Sequence, residues 1–151
     1  MTMTTTLTRT LYTAHATVTG GRAGHGRSSD GELEVDLRPP VEMGGDGGGT
    51  NPEQLFAIGY AACFQSALGA EGRRENLDAS DSTVNSSVEL GPVGGGAYGL
   101  AVTLEVLLPS TEQDTAERLV KAAHQVCPYS NATRGNITVT LQVVGAAVGN
   151  A

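Results

Sequence analysis

A chain of 151 residues suits one domain with one core, and 17% charged against 39% apolar residues is not the composition of a disordered chain. Sixteen acids against nine bases give a net charge of −7, with no basic stripe, which argues against nucleic acid or an anionic membrane as the main partner. Phe and Tyr together make only 4% and Trp is absent, so the core must be aliphatic, thin for a monomer, and an oligomer is expected.

The opening 1-MTMTTTLTRTL-11 lacks the apolar core of a signal peptide, and no run approaches a membrane span. A cytoplasmic address is the expectation, where structural disulfides are rare. The first ten residues read as an extension and 11–151 as a single domain. Residues 10–19 alternate and predict a strand. In 32-ELEVDLR-38, Leu33, Val35 and Leu37 share one face, which predicts a second strand paired antiparallel with the first across the loop containing Arg22. The glycines cluster in 20-GGRAGHG-26, 44-GGDGGG-49 and 91-GPVGGG-96, all read as loops.

Asn51, Pro52 and Gln54 form a helix-start pattern. The run 55-LFAIGYAACFQSAL-68 is apolar nearly all round, which predicts a central helix buried on most faces. Strands are predicted at 83–90 and 98–108, the latter with Leu100, Val102, Leu104, Val106 and Leu108 in phase. Ser110 and Gln113 suggest a cap for a second helix over 111–126, with Leu119, Val120, Ala123 and Val126 at helical spacing. Cys127 before Pro128 should end that helix, and 137-ITVTLQVV-144 should close the chain as a strand. The order predicts an α+β domain of antiparallel sheet around one or two buried helices.

Cys63 and Cys127 carry the chemical question. A thiol reacts as thiolate, and a free cysteine has a pKa of about 8.5. Cys63 lies too deep in its helix to borrow the N-terminal dipole, and an apolar wall should raise its pKa, so reactivity requires a cation from elsewhere. Arg22, between glycines, is an attractive source, and Glu53 in the first helical turn could hold it. Ten residues of helix separate Glu53 from Cys63, about 15 Å along the axis. A shared site therefore calls for a symmetry-related chain or a strongly bent path, and a site at a dimer interface is expected. Each residue also has a plainer reading: a small buried hydrophobe at Cys63, a solvated turn at Arg22, a dipole partner at Glu53. No metal site is expected, since His15, His25, His124 and the cysteines lack ligand spacing. His124, three residues before Cys127, makes one weak pair with it. No G-x-S-x-G or Walker A sequence supports a hydrolase or nucleotide reading.

The stretches 51-NPEQLFAIGYAACF-64 and 126-VCPYSNATRGNI-137, with 20-GGR-22 upstream, resemble the organic hydroperoxide resistance branch of the Ohr/OsmC family over about residues 11–144. The resemblance implies an OsmC-like fold, antiparallel sheets wrapped around central helices in an intertwined homodimer. It implies a thiol peroxidase that reduces alkyl or fatty-acid hydroperoxides, without a bound cofactor. Cys63 would be the peroxidatic cysteine and Cys127 the resolving one, closing an intramolecular disulfide, with Arg22 and Glu53 as the activating pair. A dihydrolipoyl group or another dithiol would be the external reductant, delivered by a dihydrolipoyl-bearing protein. Phe56, Tyr60 and Phe64, with Leu55, suit an alkyl chain, though the same residues could be core. Three alternatives stay open: an OsmC-type peroxidase of broader range, a non-catalytic redox-sensing or ligand-binding module, and a structural dimer with inert thiols.

Overall fold

The structure, a computed structural model, describes residues 4–147. They fall into two compact units, one up to Pro52 and one from Glu53 onward. No helix among the described residues is long and apolar enough to cross a membrane.

The first unit is an antiparallel sheet in the order β1 (Ala16–Thr19), β2 (His25–Ser28), β3 (Glu34–Asp36). The predicted direct pairing of 10–19 with 32–38 is corrected here. A third strand, β2, lies between them, with Val18 opposite Gly26 and Gly26 opposite Val35. The sequence HGRS carries no β-branched residue and so gives no strand signal. What it carries is a glycine whose missing side chain makes room. A Cβ on Gly26 would stand 3.2 Å from Val18 Cγ2 and 3.7 Å from Val35 Cγ2. β1 is also shorter than expected, four residues instead of ten.

The second unit begins with α1 (Pro52–Arg74), starting where the proline is expected to start it and running past the apolar stretch. Next comes a sheet ordered β4 (Thr83–Gly94), β5 (Ala97–Glu112), β6 (Val139–Ala146), with α2 (Gln113–Val126) and α3 (Pro128–Thr133) between β5 and β6. The α+β class holds. One ladder differs from the antiparallel expectation: β6 runs parallel to β5, as a helical crossover permits. The predicted glycine loop after 90 is mostly strand, with the tight turn confined to Gly95 and Gly96 at positive φ. Gly94, Gly96 and Gly99 happen to fall at G-x-G-x-x-G spacing, but a hairpin, with no helix after it, cannot form a dinucleotide cradle.

The core is aliphatic, as the composition demands. Val102, Leu104, Val106 and Leu108 project from one face of β5 and join Tyr60, Phe64, Ala67 and Leu68 of α1 and Ala116, Leu119, Val120 and Ala123 of α2 in one buried cluster. Two expectations need correction. Helix α1 is buried along a single stripe within this chain, not on most faces, and Ile58 is 71% exposed. The cap of α2 is Glu112, which accepts from Asp114 N–H, while Ser110 instead donates to Asp81 at 2.5 Å. Val126, in phase with the α2 core stripe, is exposed because the helix ends there.

Candidate functional site

The second unit brings the two cysteines together. Pro128 removes Cys127 from helical geometry (φ −65°, ψ 123°) and supplies the first residue of α3. Cys127 therefore serves two helices: its N–H donates to Ala123 O at the end of α2, and its Sγ accepts from Ser130 N–H at the start of α3. The sulfur sits at this elbow, fully buried, and its S–H donates to Cys63 Sγ at 3.5 Å. Both residues are free thiols.

Cys63, on α1, is half-buried. It opens on a cavity of about 540 Å³ whose wall includes Ala67, Ala70, Val126, Pro128, Glu71 and Arg74. Burial pushes the Cys63 thiol up from its ordinary value, the Tyr129 backbone N–H pulls it down, and the Cys127 thiol pushes it up again. Burial, the largest of these effects, leaves Cys63 poorly activated by these neighbours.

A second cavity, about 550 Å³, is lined by Phe56, Leu100, Tyr129 and Ile137 and is chiefly apolar. Phe56, Tyr60 and Tyr129 form an aromatic triad with ring centres 5.7 to 6.0 Å apart. Tyr129 fits over α1 because position 59 is glycine: a Cβ there would lie 3.0 Å from Tyr129 Oη. Of the three expected substrate-facing aromatics, Phe56 lines this cavity, whereas Tyr60 and Phe64 are fully enclosed in the core. Tyr60 Oη is 2.8 Å from Ser130 Oγ and 3.0 Å from Thr133 Oγ1. A larger cavity of about 800 Å³, lined by Gln65, Arg73 and Ser82 among others, contains neither cysteine.

Glu53 occupies the first turn of α1, far along the helix from Cys63. Arg22 belongs to the first unit, in a 3-10 turn over Gly21–Ala23 entered through Gly20 at φ 79°. That turn is closely built. A Cβ on Gly24 would stand 1.7 Å from Thr19 O, and Arg38 Nη1 donates to Gly24 O at 3.0 Å and to Ala23 O at 3.3 Å. Beside it, His25 bonds Asp36 at 2.8 Å and Glu34 at 3.0 Å, and those carboxylates hold its imidazole above its ordinary pKa. Arg38, Tyr129, Ser130 and Thr133 were not singled out by the sequence. The N-terminal signal at Cys127-Pro128 could have found α3, and with it Ser130. Among the described residues no cluster of three or more His, Cys, Asp or Glu could hold a metal ion.

Two facing free thiols, one enclosed and one opening on a cavity, thus lie on an α+β scaffold. The chain belongs to the OsmC-like family, whose model, described as OsmC-like protein, matches residues 45–142. Within it, the chain falls in the organic hydroperoxide resistance branch that the sequence motifs resemble. It is 53% identical to the organic hydroperoxide resistance protein of Xanthomonas axonopodis pv. citri, over 88% of this chain and 94% of that one. The crystal structure of an organic hydroperoxide resistance protein from Legionella pneumophila superposes with a TM-score of 0.87 at 46% identity, covering 90% of this chain and 99% of that one. The OhrB protein of Bacillus subtilis gives a TM-score of 0.82 at 44% identity, covering 89% and 99%.

Proposed function

We propose that this protein is a thiol peroxidase that reduces organic hydroperoxides and so confers resistance to them. The observation that carries the reading is the 3.5 Å separation of Cys63 and Cys127 sulfurs, the accessible one facing a cavity. The names of its relatives supply the substrate class.

In the first step the Cys63 thiolate attacks the distal oxygen of ROOH. The O–O bond breaks, the alkoxide takes a proton and leaves as ROH, and Cys63 becomes a sulfenic acid. In the second step Cys127 sulfur attacks that sulfenic sulfur. The S–O bond breaks, and the Cys127 proton, already directed at Cys63, leaves with the hydroxyl as water. The resulting disulfide is reduced by a dihydrolipoyl group or similar dithiol on a partner protein, with no bound cofactor. Small apolar residues in the Cys63 cavity, Ala67, Ala70 and Val126, suit a hydrocarbon arm as well as an alkyl peroxide. Arg22 acts as the cation that lowers the Cys63 pKa, and Glu53 orients it. The working form is a homodimer, supported by the exposed apolar side chain of Ile58 on α1, and it acts in the cytoplasm.

The test mixes reduced protein with cumene hydroperoxide and dihydrolipoamide, comparing wild type with Cys63→Ser and Cys127→Ser. Continued peroxide loss in wild type, abolished in Cys63→Ser, is expected. In Cys127→Ser the first turnover should survive and cycling fail. Consumption of a single equivalent by wild type would overturn the enzyme in favour of a redox sensor.

A further inference from the structure

Behind Cys127 runs a file of hydroxyls that the proposed chemistry does not use. Tyr60 and Ser130 are fully buried and Thr133 is nearly so. Ser130 Oγ lies 2.8 Å from Tyr60 Oη and 2.8 Å from His124 Nδ1, while Tyr60 Oη lies 3.0 Å from Thr133 Oγ1. Each hydroxyl has one proton to give, so the file runs in one sense throughout, and either sense closes it. Thr133 Oγ1 can also donate to Ser130 O at 3.3 Å. In both senses Ser130 Oγ bonds Tyr60 on one side and His124 Nδ1 on the other.

Burial, with the nearby Arg134 charge, disfavours protonation of His124. Arg134 also donates to His124 O at 2.7 Å and to Asn131 Oδ1 at 2.5 Å, tying the end of α3 back to α2. Ser130 is the joint of the network. Its Oγ bonds His124 Nδ1 and its N–H donates to Cys127 Sγ.

We propose that His124 is a positioning residue for the resolving thiol: through Ser130 it holds the Cys127 elbow within reach of Cys63, and so decides the fate of an oxidised Cys63. This rests on the peroxidase reading above. Two reactions compete for the sulfenic acid. With Cys127 it gives the disulfide and water. With a second hydroperoxide it gives Cys63 sulfinic acid and an alcohol, a loss of the enzyme. The first is unimolecular and depends on the sulfur separation, and the second depends only on peroxide concentration.

The test compares wild type with His124→Leu, which removes the ring nitrogen, and His124→Asn, which keeps a hydrogen-bonding amide where Nδ1 stood. Ser130→Ala and the double variant His124→Leu/Ser130→Ala complete a cycle. One readout is Cys63 sulfinic acid formed per peroxide reduced, followed by mass spectrometry. The other needs no peroxidase activity: the fraction of Cys63–Cys127 disulfide at equilibrium in oxidised and reduced dithiothreitol. His124→Leu should raise sulfinic acid about tenfold and shift the thiol–disulfide equilibrium toward thiols by about the same factor, the weight of one buried hydroxyl left without its partner. His124→Asn should restore both. The double variant should be no worse than Ser130→Ala alone. Wild-type values in His124→Leu, or failure of His124→Asn to restore them, would overturn the proposal. A shifted equilibrium in a protein that consumes no peroxide would uphold the positioning role and sink the peroxidase reading.

Discussion

Cys127 donates its thiol hydrogen to Cys63 across 3.5 Å, from a position fixed by two helix ends. A disulfide needs the sulfurs at about 2.05 Å, so closure asks for roughly 1.5 Å of approach, within what side-chain rotation supplies. The bond would close a loop spanning 64 residues. A cross-link of that length stabilises a fold by about 2–4 kcal/mol, chiefly through the unfolded chain. The oxidised protein should therefore unfold at a higher urea concentration than the reduced one, and Cys127→Ser should show no such difference. Equal midpoints for the two redox forms of wild type would count against closure in the folded state.

The Cys63 environment predicts a pH dependence. Burial and the neighbouring Cys127 raise its pKa, and the Tyr129 N–H offsets part of that rise. A raised thiol pKa leaves less thiolate at neutral pH than in a free cysteine. If Arg22 supplies the compensating charge, Arg22→Ala should move the midpoint of Cys63 alkylation by iodoacetamide to higher pH. The rate at pH 7 should fall as a result, while the limiting rate in alkali stays near wild type. An unmoved midpoint would remove Arg22 from the site.

What the sequence made legible follows from how each element is stabilised. Helix α1 and strand β5 carry their signals in long periodic runs, and both appear where Pro52 and the Leu100–Leu108 alternation place them. Strand β2 has no such run, because Gly26 serves it by being small and His25 by pairing with Asp36 and Glu34 across the sheet. Six-residue α3 is too short for periodicity, and the parallel pairing of β6 is a property of the crossover, not of 137-ITVTLQVV-144 itself. Both cysteines stand out in the sequence, but the meeting of their sulfurs at 3.5 Å does not follow from it. Ser130 and Arg38 do not stand out, since one acts through a buried hydroxyl and the other through bonds to backbone carbonyls that no sequence pattern encodes.

The Arg22 turn should respond differently to two neighbouring glycine changes. At Gly21 the strain is conformational only: φ is 56°, and nothing lies within 4 Å of where an alanine methyl would stand. Gly21→Ala should cost about 1 kcal/mol. At Gly24 a Cβ would stand 1.7 Å from Thr19 O, backbone that cannot swing aside. Gly24→Ala should therefore displace the turn, cost about 2 kcal/mol or more, and lower peroxidase activity more than Gly21→Ala does. Thermal unfolding and turnover of the two variants, run together, check the order. The reverse order would mean that backbone conformation, not the close approach to Thr19, holds this turn.

The last prediction concerns the face of α1 that the chain leaves uncovered. Ile58 is 71% exposed, two positions before the fully buried Tyr60 on a helix whose remaining residues are chiefly apolar. Glu53 and Cys63 are ten residues apart on that helix, about 15 Å along its axis, too far for one arginine to serve both from a single straight helix. A second copy of the chain packed over the Ile58 face would answer both observations, covering the helix and bringing one chain's acidic helix start toward the other's thiol. Ile58→Glu places a charge in the centre of such an interface, where an unpaired charge costs several kcal/mol. Sedimentation velocity should show wild type as a dimer and Ile58→Glu shifted toward monomer, with Cys63 alkylation at pH 7 falling in parallel as the activating pair is lost. A wild type that sediments as a monomer would remove the shared site, and a monomeric Ile58→Glu that keeps wild-type thiol reactivity would place the activating residues within one chain.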